Sequence, residues 1–144
     1  MPDAKPTDAI IVIDQGTTST RVIGFDLSGR ALASSQQEHR QHYPASGHVE
    51  HDPEEIWQNT KTCLTDVYNT LTRQGHSPKG IGITNQRETV VAWDKKTGEV
   101  LHNALVWQDK RTADYCARLS ASHGIEIRNK TGLPTDPYFS ASKI

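Results

Sequence analysis

Ala9-Ile10-Ile11-Val12-Ile13-Asp14-Gln15-Gly16-Thr17-Thr18-Ser19-Thr20-Arg21-Val22-Ile23-Gly24-Phe25-Asp26 is the stretch on which the fold turns. An apolar run predicts a buried strand over 9–13, a polar glycine-bearing turn follows it, and the β-type pattern resumes over 21–26. Leu27-Ser28-Gly29-Arg30 then turns the chain into a third strand, Ala31-Leu32-Ala33-Ser34-Ser35. Three strands joined by short turns predict an antiparallel meander.

Outward from this core, residues 1–8 are polar and proline-bearing and are expected to form a flexible leader. On the other side, Gln36–His51 is polar and rich in histidine, with Tyr43-Pro44-Ala45-Ser46-Gly47 as a turn signal. It is expected to run over the surface, with solvated histidines. Asp52 suits a helix N-cap, Pro53 the first helical position and Glu55 the reciprocal acid of a capping box. Ile56, Trp57, Thr60, Cys63, Leu64, Val67, Tyr68 and Leu71 recur at helical spacing, and Gly75 offers a left-handed stop. Strands are expected over 79–84, 89–93 and 103–107, with Asp94–Gly98 as a hairpin turn; Gly80 and Gly82 would allow close backbone approach. A second helix is expected from Thr112 to near Gly124 and a third over 125–130. The order βββ, α, β, β, β, α is that of an α/β domain with a mixed sheet.

Composition narrows the function classes. The 144 residues hold 16 Lys plus Arg against 17 Asp plus Glu, a formal charge of −1, which gives no basis for gripping nucleic acid or an anionic membrane. No apolar stretch has the length of a membrane span and the N-terminus carries no signal-peptide pattern, so a cytoplasmic location is expected. Cys63 and Cys116 form no C-x-x-C pair and fall at core positions of the helices, as reduced thiols.

Three segments carry chemistry. Asp14-Gln15-Gly16-Thr17-Thr18-Ser19 closes an apolar strand in a turn whose glycine lets backbone N–H groups approach an anion, with Thr17, Thr18 and Ser19 adding hydroxyls and Arg21 a fixed charge. Asp14 could hold Mg²⁺ through water, since that ion takes one or two carboxylates beside phosphate. The same segment also suits a hairpin capped by its own Asp and Thr. Neither G-x-x-x-x-G-K-[ST] nor G-x-G-x-x-G is present. Thr84-Asn85-Gln86-Arg87-Glu88 is a polar segment between apolar runs. Arg87 donates and Glu88 accepts, a pairing that recognises neighbouring hydroxyls of a polyol, or else an ion pair decorating a hairpin. Trp107 ends a strand ahead of Gln108-Asp109-Lys110-Arg111 and suits either a wall for a small polyol or a core position, while Tyr138 follows two prolines as a ligand contact or a loop anchor. The histidines lack cysteine partners and any H-E-x-x-H, which disfavours a metal site.

Together, Asp14–Arg21, Gly47-His48-Val49-Glu50-His51-Asp52-Pro53, Ile81-Gly82-Ile83-Thr84-Asn85-Gln86-Arg87-Glu88-Thr89 and Asp136-Pro137-Tyr138-Phe139-Ser140 resemble, in order, the FGGY carbohydrate kinases and within them the glycerol-specific branch. The resemblance implies the ribonuclease H-like, actin-like ATPase fold, with residues 9–144 as the incomplete N-terminal part of its first domain. It implies ATP and Mg²⁺ as cofactors and ATP-dependent phosphorylation of glycerol to sn-glycerol 3-phosphate. Thr17, Thr18, Ser19 and Arg21 would bind nucleotide phosphates, Asp14 the metal, and Arg87, Glu88, Tyr138 and Trp107 glycerol. The catalytic aspartate base would lie beyond residue 144, leaving this chain inactive alone, and the full-length protein would be a homo-oligomer. The alternatives are a kinase of another sugar or polyol and a non-catalytic truncated chain.

Overall fold

A computed structural model describes residues 6–144, and the first strand, β1, spans Thr7–Gln15. Thr7 and Asp8 thus belong to the sheet and not to the expected leader, whose residues 1–5 lie outside the described residues. The chain divides into two compact units. Unit 1 comprises Met1–His39 with Glu54–Gln86, and unit 2 comprises Arg40–Pro53 with Arg87–Ile144.

Unit 1 is a four-stranded mixed sheet in the order β3-β2-β1-β5, with β2 at Ser19–Asp26, β3 at Ala31–Glu38 and β5 at His76–Asn85. The predicted meander forms: β1 pairs antiparallel with β2, and β2 with β3. β5 joins β1 in parallel, placing Thr84 beside Asp14. The third strand continues past Ser35 to Glu38, because its polar end is carried by pairing with β2 down to Ser19↔Glu38. The helix α1, Pro53–Arg73, ends before Gly75, whose φ of +80° is the left-handed stop that its position required.

Ala9, Ile11, Ile13 and Val22 of the sheet and Cys63, Val67 and Leu71 of α1 form the apolar core. Burial of each large side chain contributes about 1.5–3 kcal/mol. Gly24 is needed for this packing, since a Cβ there would lie 2.7 Å from Leu71 Cδ1. Trp57 and Tyr68, although at helical spacing, are exposed. So are Ile81 (55% exposed) and Ile83 (74%) on β5. The close backbone approach expected at Gly82 is not made among the described residues, for nothing lies within 4 Å of a Cβ built there.

Unit 2 has little sheet. β4, Glu50–His51, pairs antiparallel with β6, Ala104–Leu105. The strand expected over 89–93 is reduced to single bridges, Val90↔Leu105 and Trp93↔Val100, around the Asp94 turn, where Asp94 Oδ1 accepts from the N–H groups of Lys96 and Thr97. The two helices expected around Gly124 are one, α2, Ala113–Thr131. Its inner face, Cys116, Leu119 and Ile127, keeps helical spacing on both sides of the glycine, so Gly124 lowers helix propensity without ending the helix. The stop is Gly132, at φ +76°, donating to Arg128 O.

The histidine-rich stretch runs over the surface at residues 43–47, as expected, but two of its histidines are not solvated. His39 in unit 1 and His51 in unit 2 are buried. His39 Nε2 donates to Thr17 O at 2.9 Å and His51 Nε2 to Gln41 Oε1 at 2.7 Å, which offsets the loss of water. Both cysteines are free and buried, as expected. Among the described residues no helix is long and apolar enough to cross a membrane.

Candidate functional site: an oxygen-lined turn and a polyol-type cluster

In unit 1, β1 and β2 are joined by a tight turn closed by Gly16 N–H donating to Ser19 O at 3.0 Å. A Cβ at residue 16 would meet that oxygen at 3.2 Å, so glycine keeps the turn this narrow. The other carbonyls also turn inward: Thr18 O accepts from His39 N–H at 3.2 Å, Thr17 O from the His39 ring, and Gly16 O from Gln15 Nε2. Gln15 is held in turn by the buried Thr20 hydroxyl, at 2.6 Å from Oε1. Engaging these carbonyls turns fewer lone pairs toward an approaching negative charge, while Gly16 N–H itself is spent on closing the turn. Thr18 is exposed; Ser19 Oγ accepts from Gln36 Nε2 at 3.1 Å, and Gln36 Oε1 accepts from Arg21 Nε at 2.9 Å. The guanidinium is thereby tied to the turn through a glutamine. Asp14, exposed at the end of β1, lies opposite Arg21 in the strand register.

In unit 2, three of the four residues expected at a polyol site come together. Trp107 and Tyr138 stack edge to face with ring centroids 5.8 Å apart, and Tyr138 meets Phe139 at 5.1 Å. Glu88 Oε2 accepts from the backbone N–H of Ser140 at 3.1 Å and from its hydroxyl at 2.9 Å. The Ser140 bonds, first the backbone N–H and then the hydroxyl, hold the Glu88 carboxyl below the usual carboxylate range, assisted by Lys143 and Arg87. Glu88 has φ +63°, a left-handed conformation costing a non-glycine residue on the order of 1 kcal/mol. Arg87 is exposed and contributes charge beside Glu88 without a hydrogen bond of its own among the described residues.

Several supporting residues escaped the sequence pattern. The segment 136–143 is a strap: Asp136 Oδ1 accepts from Tyr138 N–H at 2.8 Å, Ser142 Oγ lies 2.9 Å from Thr112 Oγ1, and Lys143 Nζ donates to Val106 O at 2.9 Å. Burial pushes the Lys143 ammonium down, against the Asp109 charge that favours it. Behind the strap lies a buried ion cluster. Asp109 accepts from Val49 N–H at 2.8 Å and, with both oxygens, from Arg111 at 2.9 Å; Arg111 also donates to Glu50 at 2.6 Å. Burial works against both carboxylates, but the Arg111 hydrogen bonds prevail and hold Asp109 and Glu50 low. The sequence signal was the polar run after Trp107; its partners, 60 and 61 residues distant, gave none.

Residues 9–144 match the model of the FGGY family of carbohydrate kinases, N-terminal domain. The chain belongs to this family. It is 53% identical over 139 residues to the glycerol kinase of Nitrobacter hamburgensis and 52% identical over 139 residues to that of Halobacterium salinarum. The first match covers 94% of this chain and the second 95%, and each covers 27% of the relative. Among solved structures, the Plasmodium falciparum glycerol kinase with ADP superposes with a TM-score of 0.92 at 38% identity, covering 95% of this chain and 28% of that one. A xylulose kinase from Rhodospirillum rubrum gives 0.87 at 28% identity, covering 94% of this chain and 28% of that one. The FGGY chain therefore spans about 27% of the length of the curated relatives it matches, and its mixed sheet is that of the carbohydrate kinases of the actin-like ATPase fold.

Proposed function

We propose that this chain is the N-terminal part of an ATP-dependent glycerol kinase, which transfers the γ-phosphoryl group to a terminal hydroxyl and yields sn-glycerol 3-phosphate and ADP. The observation that carries the reading is the cluster in unit 2, where an anchored carboxylate, Glu88, occurs with the Trp107–Tyr138 ring pair. Glu88 accepts a hydrogen bond from one glycerol hydroxyl, Arg87 donates to a neighbouring one, and the rings cover the carbon face. An analogue lacking a hydroxyl leaves these groups unpaired and binds less well.

In unit 1, Thr17, Thr18, Ser19 and Arg21 bind the nucleotide phosphates. Support comes from the inward carbonyls of the turn and from Gly16, whose missing Cβ keeps it narrow. No group of three His, Cys, Asp or Glu that could hold a metal occurs among the described residues. The single exposed carboxylate of Asp14 fits Mg²⁺ held mainly by phosphate and water, and would bind it through a water molecule. When bound, the ion neutralises charge on the transferring phosphoryl group.

The test is calorimetric titration of the intact protein with glycerol and with ATP–Mg²⁺, together with turnover on glycerol, dihydroxyacetone, xylulose and gluconate. Arg87→Ala and Glu88→Ala are expected to weaken glycerol binding at least tenfold and leave nucleotide binding intact. Unchanged glycerol affinity, or preferred turnover of xylulose or gluconate, would refute the assignment.

A further inference from the structure

We propose that Ser140 is a positioning residue of the polyol site: its backbone N–H and hydroxyl hold one oxygen of the Glu88 carboxylate, so that the other alone is offered to a substrate hydroxyl. The inference rests on the glycerol-binding role of Glu88 proposed above.

Both Ser140 donors converge on Glu88 Oε2, at 3.1 and 2.9 Å, and the hydroxyl also lies 3.2 Å from the Glu88 carbonyl oxygen. The serine N–H thus holds the carboxylate, and its single hydroxyl proton serves mainly that carboxylate with the carbonyl of the same residue, held at φ +63°, as a second acceptor within reach. A carboxylate has two oxygens and several lone-pair directions, and a free one would rotate among them. With Oε2 engaged, Oε1 has no hydrogen-bond partner among the described residues and has a set direction. The same strap carries Tyr138 against Trp107 two residues earlier, so ring wall and acceptor are located by one short segment. Holding an acceptor in place before the ligand arrives lowers the ordering cost of binding.

The charged groups facing Glu88 are Arg87 beside it and Lys143 from the strap. Both remain in Ser140→Ala, which removes only the hydroxyl and keeps the backbone N–H. In the intact protein this substitution should raise KM for glycerol about tenfold and leave kcat and KM for ATP within twofold, the pattern for lost ground-state binding. The acidic limb of kcat/KM for glycerol should move to higher pH, because Glu88 loses a hydrogen bond that favours its ionised form. Ser140→Thr, which restores a hydroxyl, should recover both. Equal losses toward glycerol and ATP would mark a structural role and overturn the proposal, as would an unmoved KM for glycerol. ¹³C-carboxyl titration of Glu88, assigned with Glu88→Gln, supplies a readout independent of turnover. If the unsubstituted protein does not phosphorylate glycerol, the functional reading fails; an upward Glu88 shift in Ser140→Ala would still uphold the anchoring, and an unmoved titration would refute it.

Discussion

Unit 1 buries Ala9, Ile11, Ile13, Val22, Cys63, Val67 and Leu71 between a sheet and one face of a helix, whereas the buried apolar residues described in unit 2 are Ala104, Val106 and Cys116. Unit 2 encloses in their place His51, Asp109 and most of Glu50, knitted together by Arg111. An apolar interior tolerates the loss of a group in proportion to its area, while a buried ion cluster depends on every member. The anchored carboxylate and ring pair lie in the unit built the second way. Interiors of that kind fix geometry through directional bonds, which suits a site that must place single oxygen atoms.

Removing the cation should have the largest effect. Arg111→Met leaves Asp109 and Glu50 without their shared partner and is expected to destabilise unit 2 by about 3–5 kcal/mol, measured by denaturant unfolding. Its pH dependence carries a sign. In the native chain both carboxyls are held low, so their contribution is present above the ordinary carboxylate range and is lost as pH falls through the lowered values. Without the guanidinium, burial, the largest influence on both carboxyls, is opposed only by the Val49 and residue-111 backbone N–H groups on Asp109 and by Asn103 and the His102 charge on Glu50, so the variant should lose less stability than the native chain as pH falls from neutral to about 5. If it instead loses stability on acidification as the native chain does, the cluster is not what holds unit 2.

Leu71→Ala should come next, costing about 2–5 kcal/mol through the cavity left against Gly24 and the sheet. Hydrogen exchange localises it: protection should fall across β1, β2 and α1, with β4, β6 and α2 keeping theirs. The smallest effect has the opposite sign. Gly124→Ala should stabilise α2 by about 0.5–1 kcal/mol, because a Cβ there meets only the exposed Ser120 side chain, its Cβ at an ordinary 3.7 Å and its hydroxyl at 3.0 Å, and the hydroxyl can turn aside. A loss of stability, in a thermal melt, would mean that the helix needs its glycine.

The same contrast explains what the sequence disclosed. Strands β1 to β3 and helix α1 were legible because apolar periodicity is a local signal and the core of unit 1 is made from it. The Gly16 turn was legible as a candidate because strand, glycine and hydroxyls are adjacent along the chain. In unit 2, Arg87, Glu88, Trp107 and Tyr138 could be picked out as candidates, yet nothing local revealed that Ser140 would grip Glu88 across 52 residues or that Asp109 would be sealed with Glu50. Gly124 misled because a propensity penalty near 1 kcal/mol is smaller than the packing of a continuous helical face. Burial of His39 and His51 is not legible because polarity along the chain predicts exposure, whereas each ring finds a distant oxygen inside the fold.

Cys63 in unit 1 and Cys116 in unit 2 are both free thiols and both shielded from solvent. The chain therefore carries one chemical clock in each half. Alkylation under native conditions can proceed only as fast as the surrounding structure opens, so the two sulfurs would time the breathing of the apolar half and of the ionic half separately, in one sample and without any introduced label.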